Sequence, residues 1–206
     1  MKKQKTIFAA VVLLLVFLVG GAIAYFTDTD TATNIFTIGN VDITLTEPNW
    51  STTDDDSNGV PDASQDLMPG QTIAKDPTIQ NVSTSNPAYV FAKVEVPCTT
   101  ATSPATPTEF FTYTLNSGWT ELSSAAVACT SGGTATHVYY YGSGNSLTSL
   151  ASQASTAAVF NNVTLLGTLD GSEGVTGNKN IVVTGYGIQT QGLASSAPAD
   201  VWANFS

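Results

Sequence analysis

The chain has 206 residues, of which 16 are acidic and 6 are Lys, with one His and no Arg, for a formal net charge of −10. A surface so poor in cations has nothing with which to release phosphate counterions, which excludes nucleic-acid binding; it equally excludes electrostatic attachment to anionic bilayers. The lone histidine, His137, leaves no second imidazole for a typical catalytic zinc site.

In chain order, Lys2, Lys3 and Lys5 form a positive n-region, and Ile7 to Val19 is an unbroken apolar run. Gly20 and Gly21 interrupt it, and Ala22-Ile23-Ala24 has the A-x-A form that signal peptidases hold extended in shallow pockets. Together they predict a secretory signal peptide over residues 1–24, a signal helix cut between Ala24 and Tyr25. The alternative is an uncleaved anchor, since Thr6 to Phe26 would just span a bilayer. Cleavage removes three of the six Lys and no acidic residue, taking the net charge to about −13. The product is an acidic exported protein with no membrane attachment.

Residues 25–38 are rich in Thr and have high β propensity but poor alternation. Phe26, Ala32, Phe36 and Ile38 share a face with Asp28, Asp30 and Asn34. Such a strand packs weakly in its own domain and suits addition to another subunit's sheet edge. An ordinary N-terminal edge strand is the other reading.

From residue 39 to 206 the pattern is that of one all-β domain. Val41, Ile43 and Leu45 alternate with polar residues. Val90, Ala92, Val94 and Val96 define one face of an Ala88–Val96 strand, with Lys93 and Glu95 on the other. Phe110 to Leu115, His137 to Tyr141, Val163 to Leu166 and Ile181 to Ile188 are further strand candidates. Turn signals separate them at Pro69-Gly70, Asn116-Ser117-Gly118, Gly132-Gly133, Gly142-Ser143-Gly144 and Asp170-Gly171. The expectation is a single jelly-roll-type β-sandwich. Ser146 to Ala158 is ambiguous, because Leu147, Leu150 and Ala154 are spaced for a short helix. Ala199 to Phe205 predicts a last helical turn that tucks Trp202 and Phe205 against the core.

The strongest local chemistry is Asp54-Asp55-Asp56-Ser57-Asn58-Gly59-Val60-Pro61-Asp62, which reads D-x-D-x-N-G-x-x-D. Hard cations take oxygen ligands, alternate residues of a tight loop turn their oxygens inward, and the Gly permits the sharp bend. The candidate calcium ligands are Asp54, Asp56, Asn58, the Val60 carbonyl and Asp62. Gln65 stands where an EF-hand has Glu, and Val60-Pro61 makes an extended exit, so the loop is closer to the calcium loops of thrombospondin type 3 repeats. A solvated acidic turn is the competing reading.

Cys98 and Cys129 are an even pair in an exported chain, which permits a disulfide; two reduced buried thiols are the alternative. No H-E-x-x-H, G-x-S-x-G or phosphate-cradling Gly loop occurs. His137 lies in a strand pattern and reads as a surface or core-edge residue. Trp119 and Tyr139 to Tyr141 read as packing.

The segment Gly21-Ala22-Ile23-Ala24-Tyr25-Phe26-Thr27-Asp28-Thr29-Asp30, with Thr37 to Leu45 behind it, resembles the TasA/camelysin family of bacterial exported proteins. The likeness continues through Leu67 to Pro77, Asn86 to Val96, Tyr186 to Thr190 and Trp202 to Phe205. It is weak from Thr99 to Gly144. The resemblance implies processing by a SipW-type signal peptidase and a jelly-roll subunit of biofilm matrix fibres. In that family the freed N-terminus adds as a strand to the next subunit, making this chain its own partner in a head-to-tail homopolymer. In that role Phe26, Phe36 and Ile38 are the side chains suited to apolar pockets. Some members of the family are described as metalloproteases, although no zinc motif is visible here. A cell-surface metalloprotease and a calcium-dependent adhesin are therefore the alternatives to a non-enzymatic fibre subunit.

Overall fold

A computed structural model describes residues 41–84, 86–100, 106–169 and 179–205. The predicted signal segment, its cleavage residues Ala22, Ala24 and Tyr25, and the donor residues Phe26, Phe36 and Ile38 lie outside the described residues. The strands are β1 (Ile43–Thr46), β2 (Thr72–Ala74), β3 (Thr78–Asn81), β4 (Ala88–Pro97) and β5 (Phe111–Thr112). They continue with β6 (Trp119–Glu121), β7 (Thr134–Ser143), β8 (Ser146–Leu147), β9 (Asn162–Leu165) and β10 (Val182–Gln189). A short helix, α1 (Pro198–Trp202), follows, and a 3-10 turn over Ala203–Phe205 extends it.

Among the described residues every strand pairing is antiparallel. The main sheet runs β10-β4-β7-β6, with β8 added to β7; β1 pairs β3, and β2-β9-β5 form a third sheet. The sheets stay open and do not close into a barrel. Strand β4 is central because one face is apolar throughout and the other carries the apolar rings of Tyr89 and Phe91 beside Lys93 and Glu95. Val90, Ala92, Val94 and Val96, each at 0% exposure, pack with Ile79 of β3, Val163 of β9 and the buried Phe110 and Phe160. This is the inner layer of an all-β sandwich, with the main sheet on one side and the two small sheets on the other.

On the outer face Phe91 stands between its cross-strand neighbours Tyr186 of β10 and Tyr140 of β7. Cross-strand aromatic rows stabilise a sheet, but their apolar faces need cover. α1 supplies that cover: Trp202 lies 5.5 Å and Phe205 5.8 Å from the Phe91 ring, and Val201 is buried beside them. The helix starts at Pro198, where the missing N–H costs nothing, and Ser195 donates to Asp200 in its first turn. The expected C-terminal turn is thus present and does what its aromatics require.

The region from Ser146 to Ala158 is not a helix. Gly144 and Asn145, at φ +56° and +63°, make the positive-φ pair of a tight hairpin that turns β7 back into β8. Leu150 then exchanges backbone hydrogen bonds with Ala88, at 2.8 and 2.9 Å. Pairing with β4 wins over a helical spacing that has only three apolar residues to bury. Strands β2, β3 and β6 escape a reading by alternation because each has only three or four residues.

β1 crosses close to β10. A Cβ at Gly187 would stand 2.8 Å from Ile43 Cγ2 and 3.2 Å from Val41 Cγ1, so the bare backbone of Gly187 is what lets β1 lie there. The chain enters the described fold at this point, beside the outer strand of the main sheet.

Candidate functional site

The acidic loop is anchored before it begins. Asp76, 6% exposed, accepts from the Asn49 backbone N–H at 2.9 Å and from Asn49 Nδ2 at 2.7 Å. Lys75, 8% exposed, pairs with Glu47 at 2.7 Å and lies over the Trp50 ring, 5.0 Å from its centroid. Buried charges must be paired, and these two pin residues 47–50 to the end of β2. The loop then closes where Asp62 N donates to the Thr53 carbonyl at 2.8 Å.

Inside the loop the carboxylates turn inward. One oxygen from each of Asp54, Asp56 and Asp62 lies within 4.8 Å of the other two. Asp54 accepts from Gly59 N at 2.9 Å and from Asn58 N at 3.1 Å, and the Gly59 bond above all holds its carboxyl below the usual carboxylate range. Gly59 has φ +84°, the left-handed conformation that the bend demands. The Asn58 side-chain oxygen accepts from Val60 N at 2.8 Å, and Asp62 accepts from Asp55 N at 3.2 Å.

One residue was placed but not credited by the sequence pattern. Gln65 Nε2 donates to the Val60 carbonyl at 2.9 Å, to Asp62 at 3.3 Å and to Asp56 at 3.4 Å. Its amide hydrogens thus point at three of the oxygens that the loop pattern nominates as ligands. A carboxamide carries an oxygen on its other arm, and a half-turn about its last torsion exchanges donor for acceptor. Its place in the pattern, where an EF-hand carries its closing Glu, was the available signal.

Gly59, Val60 and Pro61 also wall an open cleft of about 300 Å³, faced by Trp50, Ile73 and Lys75. Because Lys75 is already matched by Glu47, it is not available to an anion there.

Cys98 and Cys129 are joined in a disulfide, Cα to Cα 5.7 Å, tying the end of β4 to the loop before β7. His137 lies on β7 with Glu121 at its Nδ1, 2.8 Å, and Glu109 at its Nε2, 2.9 Å. The two carboxylates stand on opposite ring nitrogens, so this trio does not converge on one point as zinc ligands must. Neither glutamate was singled out from sequence, because only strand register brings them to the ring. Trp119, 5% exposed, donates its indole N–H to the Ala157 carbonyl, and Tyr139 and Tyr140 are buried, so these aromatics are packing.

A model of the camelysin metallo-endopeptidase family matches residues 1–106, a little over half of the chain. No curated protein and no solved structure matches. The matched stretch takes in the acidic loop and β1 to β4, and stops short of Glu109, Glu121, Cys129 and His137. With the family model and the N-terminal motifs in agreement, the chain belongs to the TasA/camelysin family.

Proposed function

We propose that this protein is a secreted structural subunit of extracellular, biofilm-matrix fibres. It is a jelly-roll domain released by a SipW-type signal peptidase, whose freed segment 25–38 adds as a strand to the next copy. Family membership carries this reading, because the match begins at residue 1 and runs unbroken through the processing motif into the sandwich. Two features of the fold support it. Among the described residues β10 pairs on one side only, with β4, and an edge strand of this kind is the sort that accepts an added strand. The segment that would be donated leads directly into β1, which packs across the face of β10 at Gly185 and Gly187. Main-chain hydrogen bonds contribute only about 0.5–1.5 kcal/mol each, so several must form together, and Phe26, Phe36 and Ile38 would set the register. Because one subunit's head enters another's edge, the contact is heterologous and propagates as an open filament. Deleting Tyr25 to Asn34 from the processed chain leaves a folded monomer that forms no fibres in electron micrographs. A truncated chain that still polymerises, or that unfolds, overturns the reading.

The acidic loop adds a calcium site to this proposal. Asp54, Asp56, Asn58, the Val60 carbonyl and Asp62 are the ligands, and the Gln65 amide turns its oxygen toward the ion. Calcium raises the melting temperature, since a ligand bound only by the folded state stabilises it by about 2.7 kcal/mol at a hundredfold excess over Kd. Asp56→Ala shrinks that shift. Identical melting in calcium and in chelator would reduce the loop to a solvated turn.

The family's name favours one competing reading, a metallo-endopeptidase. Chelator-sensitive cleavage of casein by the purified protein would establish it. The opposed carboxylates around His137 weigh against that trio as its centre.

A further inference from the structure

The only histidine of the chain is held from two sides by carboxylates of two different segments. Glu121 ends β6, the outer strand of the main sheet, and bonds Nδ1. Glu109 lies opposite Cys98 in an isolated bridge, on the segment that enters β5 of the facing sheet, and bonds Nε2. A neutral imidazole has one N–H and can donate to one of them; the imidazolium has two and can donate to both. The protonated ring therefore ties β6 to the segment that runs from the end of β4 toward β5, at the end where the disulfide also lies. Losing the proton leaves one carboxylate without a donor and places two negative charges either side of a neutral ring.

We propose that Glu109, His137 and Glu121 form a proton-operated latch between strand β6 and the segment entering β5, closed while the imidazole carries its proton and released from one carboxylate when the proton leaves. The other groups facing the ring do not compete for this role. Tyr113 meets it edge-on and Tyr139 stacks on it, with their hydroxyls bonded to each other at 2.8 Å. Burial raises both phenols, Tyr139 up to about 12, so they stay neutral while the histidine titrates. From β4 the residue opposite is the apolar Val94, and Lys93 and Glu95 pair with one another on the other face of that strand.

The bond to Glu109 first, and that to Glu121 after it, raises the imidazole from 6.5 to about 9 against the opposing effect of burial. A group raised on folding stabilises fully below its unfolded value and loses that stabilisation as pH climbs through its folded one. The window is thus pH 6.5 to about 9. Because the chain has one histidine, its imidazole gives a single set of carbon-bound proton signals. In the purified wild-type protein these titrate near pH 9, and Glu109→Gln and Glu121→Gln each move the midpoint down toward 6.5. Wild-type melting temperature falls across the window, and His137→Gln flattens that fall. At pH 7 His137→Gln also lowers hydrogen-exchange protection at Phe110 and Leu122 while leaving the β4–β10 amides unchanged. An imidazole that titrates near 6.5 in wild type overturns the latch even if His137→Gln does not fold. So does protection lost equally throughout the sheet, which would mark a general packing defect.

Discussion

Cys129→Ser lowers the unfolding free energy by about 3–4 kcal/mol, read from a denaturant titration under non-reducing conditions. The disulfide closes a loop of sequence separation 31, and cross-linking a loop of that size removes roughly this much entropy from the unfolded chain. Cys129 is only half-buried, so a serine hydroxyl there reaches water, whereas Cys98 is 3% exposed and its replacement would add a burial cost of its own. The loss should therefore report the cross-link and little else. Its local consequence follows from position. Cys98 N donates to Gly133 and Phe110 N to Pro97, each at 2.9 Å, so the same junction gathers β4, the entry to β5 and the entry to β7. A loss under about 1 kcal/mol would mean that this junction holds its shape, and the unfolded chain its freedom, without the bridge.

Phe91→Ala costs about 3–5 kcal/mol, the range for deleting a fully buried aromatic. Phe91 is 0% exposed and, with its cross-strand neighbour Tyr186, is one of two sheet rings that touch both Trp202 and Phe205. Removing it opens a cavity that α1 cannot fill, because Trp202 also packs on Tyr186, 4.9 Å between centroids, and cannot follow without leaving it. At about 2–4 °C per kcal/mol for a chain of this size, the melting temperature drops by roughly 10 °C. Trp202 fluorescence should lose its buried character before global unfolding, since the cover detaches first. If Phe91→Ala and wild type melt together, the outer aromatic row is not part of the cooperative core.

Much of this was legible from the chain alone. Clean alternation in Ala88–Val96 determined which residues of β4 face the core, since a period of two sends successive side chains to opposite faces. The Thr- and Gly-punctuated pattern determined an all-β class, Trp202 and Phe205 announced a helix that had to bury them, and D-x-D-x-N-G-x-x-D marked where oxygens converge. These are local properties, set by spacing over a few residues. What only the tertiary structure decided is whatever depends on which strands become neighbours. Leu150 abandons a helical spacing for Ala88 because β4 offers it hydrogen bonds and a buried site. β6 forms against the ten-residue β7, and β2 and β3 form only because the tertiary fold brings β9 and β1 alongside them. His137 could not be told from any other strand residue until β6 and the β5 segment carried Glu121 and Glu109 to its two nitrogens from positions 16 and 28 residues away. Register and strand order are settled by burial summed over the whole domain, and no window of sequence contains that sum.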